Sequence, residues 1–509
     1  MHRNELAVKG SIIGFTSQII SVLLKFAVRT CVIRFLGREV LGLDGVLIDT
    51  ISMLSLAEMG ISSAMLYRLY SPVIEDDRQR IGELMATYQR IYHVIALVVA
   101  LVGIVISLAL PWIIKGISIP WNSIYLAFYL QLACSVCSYL LSYQRLLLEA
   151  EQKKHLCILV DLVFNVIFSA LKIGAIAVLR SYIGYLVLNI GQTVFANLFL
   201  RQYSRKNYPF IKIGTVNGKD LKLLFQDTRH LLGNKLAVYV YSSTDNLIIS
   251  AFMGTALVGT LSNYKYIATA LGGLVSSAMS TIQPLLGNYL NSDTKPEDSF
   301  RTLQRYTFIR FTVAGLTAVP MITVSHFFVQ IWTGNESYVL STLIPILLAC
   351  DYYISCAYGP LGEYIIGMGL FQKGKYATYA GAITNILLSL AFAKLWGIYG
   401  VLGATVISQL VIWTGDFLII LKGYYHEFPQ FGKEYVFSQI RYFTVVVISA
   451  LLSLLVVKRI PVLSMPVRFI LGGIATEAVF LVLFVICFHR REEFVFTKNL
   501  CSQRFFQKK

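Results

Sequence analysis

The chain has 509 residues, of which 56% are hydrophobic and only 14% charged, with a mean hydropathy of +0.66. Soluble domains carry about 25% charged residues, so a soluble globular protein is excluded. The net charge of +17 would point to nucleic acid in a soluble protein, but its distribution along this chain assigns it to membrane topology.

The apolar residues come in blocks of roughly 20, the length a helix needs to cross a hydrocarbon core of about 30 Å. About fourteen spans are expected, near 11–35, 42–67, 92–114, 122–144, 157–179, 182–200, 231–253, 257–283, 306–331, 338–362, 376–394, 398–421, 440–457 and 467–488. The first apolar run is too long and too charged for a cleavable signal peptide and is expected to remain as a membrane helix. With the N-terminus inside, the predicted cytoplasmic segments hold about 30 Lys and Arg and the outer segments about 8. That asymmetry places both termini in the cytoplasm. It also gives the basic residues a role in topology and anionic-lipid contact, so nucleic acid is not an expected partner.

The first span carries three cations in "LLKFAVRTCVIRFLG". At helical spacing Ser11, Gly14, Gln18, Ser21, Lys25 and Arg29 fall within an arc of roughly 80°, which makes a polar, cationic stripe. Arg34 lies on another face near the outer end, where it can snorkel to the headgroups. Charge inside a membrane is costly and marks a functional candidate. Two readings of the stripe stand: Lys25 and Arg29 pair with the intramembrane acids Glu58 or Asp245, or they line a wet cavity and bind an anionic substrate. A guanidinium suits phosphate because it can make two parallel hydrogen bonds, and an ammonium adds a point charge.

Further along, "EDDRQRIGELMATYQRIY" sets Ile81, Leu84, Met85, Tyr88 and Tyr92 at helical spacing, and "KPEDSFRTLQRYTF" stands at the matching place in the second half. Both are expected to lie along the membrane surface. Cys134 and Cys137 form a CxxC inside an apolar helix and read as small buried residues, and the seven His do not cluster, so no metal site is indicated.

The chain reads as a duplication. "QKKHLCILVDLVFNVIFSAL" from Gln152 and "QKGKYATYAGAITNILLSLA" from Gln372 share Gln152/Gln372, Lys153/Lys373, Asn165/Asn385 and Ser169/Ser389. Gly37 and Gly42 match Gly254 and Gly259, and Gln192 matches Gln409, all at a spacing of about 217–220 residues. One repeat holds six spans, an even number, so the copies enter the membrane from the same side as parallel repeats. The domains expected are an N-terminal six-helix lobe (1–200), a basic cytoplasmic linker (201–230), a second six-helix lobe (231–421), an additional helix pair (422–488) and a basic tail (489–509). The Asn/Ser pairs at four-residue spacing read as interhelical glue.

"NKLAVYVYSSTDNLIISAFMGTALVGTLSNYKYI" places Asp245 and Asn246 in one span and Asn263 and Lys265 in the next. Asp245 can be a proton or Na⁺ site, a counter-ion or a cap on a broken helix. No phosphate loop, nucleophile elbow or metalloprotease motif occurs, and no extramembrane segment exceeds about 30 residues. A catalytic role and a cofactor are therefore not expected.

Two stretches carry a family resemblance. "FLGREVLGLDGVLIDTISMLSLAEMGISSAMLYRLYSPVIEDDRQRIGELM" (35–85) and "STDNLIISAFMGTALVGTLSNY" (243–264) resemble the matching regions of Wzx-type polysaccharide repeat-unit flippases, capsule type, within the multidrug/oligosaccharidyl-lipid/polysaccharide exporter superfamily. The resemblance implies a MATE-like transporter fold, two six-helix lobes around a central cavity, and alternating access. It implies undecaprenyl-pyrophosphate-linked oligosaccharide as substrate, flipped across the bacterial cytoplasmic membrane for capsule or another surface polysaccharide. Coupling to a H⁺ or Na⁺ gradient, with Asp245 as a candidate ion site, and polysaccharide polymerase and chain-length machinery as partners are further expectations. Lys25 and Arg29 would hold the pyrophosphate, Asn263 and Lys265 would contact phosphate or sugar, and Asp245, Asn246 and Glu58 would serve ion coupling or charge pairing. The competitors are a multidrug or other solute exporter of the same superfamily, which would want cavity acids, and a membrane-embedded glycan polymerase or ligase, which would want a large outer loop.

Overall fold

The computed structural model describes residues 2–54, 61–212, 243–279, 295–461 and 464–506, with isolated positions among 237–292. Helices make up the described residues, and no strand occurs among them. In chain order they are α1 (His2–Cys31), α2 (Gly37–Leu54), α3 (Ile61–Ile74), α4 (Arg78–Ser107), α5 (Trp121–Ser142), α6 (Lys154–Gly174), α7 (Tyr182–Asn207), α8 (243–253) and α9 (Thr255–Met279). Then follow α10 (Pro296–Thr333), α11 (Leu343–Gly367), α12 (Phe371–Trp396), α13 (Ile398–Gly423), α14 (Pro429–Arg459), α15 (Met465–Phe488) and α16 (Glu492–Phe506). Ten of the described helices are long and apolar enough to cross a membrane. The charged α1 is not among the ten; much of the expected seventh span lies outside the described residues, as does Glu58 of the expected second span.

The two amphipathic connectors are not separate surface helices, contrary to expectation. The first forms the opening turns of α4, a helix of 30 residues, and the second the opening turns of α10, a helix of 38. At 1.5 Å per residue α10 is about 57 Å long, well beyond a hydrocarbon core. Nothing between connector and span breaks the helix. Each start is defined instead: Asp77 caps α4 by accepting from the Arg80 amide at 2.9 Å, and Pro296 opens α10. The apolar face of the first connector is buried in protein, with Ile81, Leu84, Met85, Tyr88 and Tyr92 all at most 2% exposed.

Compactness divides the chain into two units, Met1–Ser262 and Asn263–Lys509. In the first, α1 packs on α6, α6 on α7, α7 on α5, and α5 on α4. A π-helical turn, Val32–Leu36, and Gly37 at φ 83° separate α1 from α2, and Arg34 stands exposed in that turn. Glycine takes this left-handed backbone without the clash that a Cβ would bring. Its duplicate, Gly254 at φ 101°, breaks the chain ahead of α9. The other matched pair meets face to face. A Cβ on Gly42 would land on the Thr255 carbonyl and stand 3.0 Å from the Gly259 nitrogen. One on Gly259 would land on the Arg38 carbonyl and stand 2.8 Å from the Gly42 nitrogen. Lipid offers no hydrophobic drive between helices, so such small-residue contacts let backbones approach and pack. The start of α9 is pinned as well, its Thr255 amide donating to the Lys115 carbonyl at 2.8 Å.

In the second unit, α12 packs on α13 and α11 on both α10 and α13. The last two spans, α14 and α15, lie together against α10. Their seam is aromatic: Phe311 stacks on Tyr442 at 4.4 Å between ring centres, and Phe308 stacks on Phe484 at 5.5 Å. Phe480 fills the space over Gly315.

The glycine crossing yields a stability prediction. Gly42→Val is expected to cost about 1–3 kcal/mol through overpacking, and Gly403→Ala, where a Cβ meets nothing within 4 Å, to be neutral or slightly stabilising. Thermal unfolding in lipid nanodiscs measures both; equal effects would show that the crossing is not tight.

Candidate functional site

Gly14, Gln18, Ser21, Lys25 and Arg29 share one continuous helix, so the spacing holds them on one face. Arg29 donates from Nη2 to Ser262 Oγ at 2.5 Å. Ser262 stands one turn beyond Gly259 and donates to that residue's carbonyl at 2.7 Å, so the glycine crossing is what carries it to Arg29. Ser21 accepts from Asn165 Nδ2 of α6 at 3.4 Å.

The polar line continues along α6. Asn165, Ser169 and Lys172 sit at four- and three-residue spacing on one face. Ser169 donates to Asn165 Oδ1 at 3.3 Å, and Gln192 Nε2 of α7 reaches the same oxygen at 3.5 Å. Asn165 thereby ties α1, α6 and α7 together. Lys172 is 7% exposed. Its ammonium donates to Gln192 Oε1 at 2.6 Å and stands 5.8 Å from the centre of the Tyr185 ring. An amide oxygen and a ring face solvate it without neutralising it.

One carboxylate enters this region. Asp44 Oδ1, on α2, accepts from Gln131 Nε2 and from the Tyr182 hydroxyl, each at 2.9 Å. Gln131 also donates to the Tyr182 oxygen at 3.2 Å. Asp44 feels the fields of Arg29 and Lys172, and Lys172 feels that of Lys25. Arg29 and Lys172 thus act on an acid that is already held by two neutral donors, and Lys25 acts on Lys172. Cations gathered in a low-dielectric setting can draw in an anion.

The other expected site residues fall in several places. Lys25 is exposed on the surface of its unit. Asn246 donates to Asp49 Oδ2 at 2.7 Å, and Asp245 beside it is buried. Asn263 and Lys265 lie on α9 in the second unit, the first fully buried and the second half-buried. Glu58 lies outside the described residues. The acid that the structure brings into the field of Arg29 is Asp44, which sequence reasoning did not single out. Nor did it single out Lys172, Gln131 or Tyr182, and Gln192 entered only as the repeat match of Gln409. A signal existed for two of them: Asp44 and Lys172 are ionisable residues inside expected spans. Among the described residues no cluster of His, Cys, Asp or Glu could hold a metal ion.

The second unit treats intramembrane charge differently. Buried Arg310 donates to the Glu363 carboxylate, which also accepts from the Tyr306 hydroxyl. Gly359 makes room for the guanidinium, since a Cβ there would stand 3.3 Å from Nη2. This is a neutral ion pair, suited to holding α10 against α11.

Residues 7–290 match the family described as "Polysaccharide biosynthesis protein", more than half of the chain. The chain belongs to that family. It is a multi-pass membrane protein with the fold of the MurJ and MATE transporters. A structure described as "Lipid II flippase MurJ, inward closed conformation" aligns at a TM-score of 0.69 and 15% identity, covering 95% of this chain and 99% of that one. An inward-facing multidrug resistance MATE family transporter of the MOP superfamily aligns at 0.59 and 15% identity, over 80% of this chain and 96% of its own. The Vibrio cholerae MATE transporter VcmN aligns at 0.55 and 14% identity, over 83% and 98%. None of the curated proteins compared matches this polysaccharide biosynthesis protein by sequence.

The arrangement around Asp44 yields a second prediction. Asp44→Leu strands the Gln131 and Tyr182 donors and removes the anion among the cations, at a cost of about 3–5 kcal/mol. Asp44→Asn keeps an acceptor and is expected to cost less than half of that. Thermal unfolding of the two variants checks the order; the reverse order would show that the Gln131 and Tyr182 donors do not depend on an acceptor at position 44.

Proposed function

We propose that this protein is a flippase that moves undecaprenyl-pyrophosphate-linked oligosaccharide repeat units across the bacterial cytoplasmic membrane by alternating access, for capsule or another surface polysaccharide. The observation that carries the reading is the gathering of Arg29, held on Ser262, and Lys172, held on Gln192, with Lys25 acting on Lys172. A pyrophosphate is the anion chemically matched to a guanidinium fork flanked by ammonium groups. Family membership supports a glycan-related substrate, and the near-complete alignment with a lipid II flippase supports a lipid-linked one.

In this reading Lys25, Arg29 and Lys172 hold the pyrophosphate. Asn263 and Lys265 contact phosphate or sugar from the second unit, and Asp245 and Asn246 serve ion coupling or charge compensation, with H⁺ or Na⁺ as the driving ion. Both termini are cytoplasmic, and the polymerase and chain-length machinery receive the product. The chain transports and does not catalyse. Binding neutralises the site, and an empty site retains its repulsion; that difference in free energy between loaded and unloaded protein is what an alternating-access cycle requires. The MATE likeness raises a multidrug exporter as the competing reading, but a cationic drug needs an excess of acids, and the cluster has the opposite sign.

The test is reconstitution in liposomes with a fluorescent polyprenyl-pyrophosphate oligosaccharide, followed by its accessibility from outside. Transport is expected to exceed that of empty liposomes. Arg29→Gln is expected to slow it about tenfold or more, the loss of one charge-assisted hydrogen bond of about 1.5–3 kcal/mol, and Lys25→Gln with Arg29→Gln further still. No acceleration by the wild type would overturn the flippase reading. Full transport by an inserted double variant would make the stripe structural.

A further inference from the structure

Below the cationic cluster, toward the end of the helices expected to be cytoplasmic, the first unit holds a polar cleft of about 410 Å³. That volume lies in the range of small-molecule sites. Ser138 and Ser142 of α5, Arg145 of the short helix Arg145–Ala150, Asp161 of α6, and Gln192 and Asn197 of α7 line it. No step of the transport reading above uses the cleft.

Its walls are preorganised. Arg145 makes a bidentate pair with Asp161, both bonds at 2.7 Å, and its Nε donates to Asn197 Oδ1 at 2.8 Å. Asn197 in turn donates to the Thr193 carbonyl at 2.8 Å. The Arg145 charge is cancelled within the cleft, so the cleft is electrically neutral where the cluster above it is positive. Ser138 and Ser142, one turn apart on α5, offer hydroxyls that have no protein partner among the described residues. Gln192 belongs to both places: it lines the cleft and accepts from Lys172 at 2.6 Å. Along α6, Asp161 and Lys172 are separated by about 16 Å of helix axis.

The duplication supplies a second observation. At the spacing that matches Asn165 with Asn385 and Ser169 with Ser389, Asp161 corresponds to Gly381 and Lys172 to Phe392. The amide that ties neighbouring helices, Asn165 or Asn385, is present in both copies, and the two charges are present in the first alone. Helix packing therefore does not demand them.

We infer that this cleft is a carbohydrate subsite for an uncharged, hydroxyl-rich sugar residue next to the pyrophosphate. Ser138, Ser142 and the Gln192 amide face the sugar hydroxyls, and the Arg145–Asp161 pair sets the shape of the cleft. The division is by charge: anion on the cluster, neutral sugar in the cleft. The inference rests on the lipid-linked glycan reading and adds to it the place where the glycan is selected.

The test uses the full chain in lipid nanodiscs and two probes, farnesyl pyrophosphate and farnesyl-diphosphoryl-N-acetylglucosamine, with binding measured by calorimetry. The wild type is expected to bind the glycosylated probe about tenfold more tightly, the gain from two or three neutral hydrogen bonds. Ser138→Ala with Ser142→Ala is expected to erase that difference and leave farnesyl pyrophosphate binding unchanged. Ser142→Phe, which fills the cleft, is expected to do the same, and the alanine pair stands in if the larger residue prevents folding. Lys172→Gln is expected to weaken both probes alike. Equal binding of the two probes by the wild type, or equal weakening of both by the serine variants, would overturn the subsite while leaving the anion site in place. Binding of neither probe would overturn the underlying transport reading.

Discussion

A cation at hydrocarbon depth has to be answered by an acid, by solvating dipoles, by water or by a ligand, because the bilayer itself offers nothing. The first unit of this protein is organised around that constraint. Lys25 and Arg29 on α1 and Lys172 on α6 share one region, and Asp44 lies in the fields of Arg29 and Lys172. Dipoles answer as well: Ser262 for Arg29 and Gln192 for Lys172. The backbone is shaped to deliver them. Contact between Gly42 and Gly259 is closer than any side chain would permit, and it carries Ser262 one turn further to the guanidinium.

The duplicated copies have diverged around the same constraint. Both retain the helix-breaking glycine, Gly37 and Gly254, and both retain the Asn that ties neighbouring helices, Asn165 and Asn385. In the second copy Asn385 donates to Thr405 at 3.2 Å, a packing bond between α12 and α13. Phe392 stands where the first copy has Lys172. In the second unit, Arg310 is locked in a pair with Glu363. The intramembrane cation of the first unit, Lys172, is thus held by neutral dipoles, and Arg310 of the second by a carboxylate.

Much of this was legible in the sequence, and the residues show why the rest was not. Hydropathy and block length gave the all-helical membrane fold, and helical spacing gave the stripe on α1. Matched glycines announced the duplication, although nothing in one dimension said that Gly42 and Gly259 would touch. The long connectors were misread because hydropathy marks only the apolar portion of a helix, and α4 and α10 continue past it without a breaker. Asp44 and Lys172 were passed over because each sits alone in an apolar run. Their meaning comes from neighbours on α1, α5 and α7, up to 138 residues away. The Arg310–Glu363 pair was hidden in the same way, its partners being 53 residues apart.

The central claim is that the positive cluster exists for a phosphate group and not for internal pairing. A structure of the full chain determined with farnesyl pyrophosphate bound tests it most directly. The account predicts density for the pyrophosphate within hydrogen-bonding distance of the Arg29 guanidinium and the Lys172 ammonium, with Lys172 released from Gln192. Pyrophosphate density elsewhere, with Arg29 still on Ser262 and Lys172 still on Gln192, would contradict it.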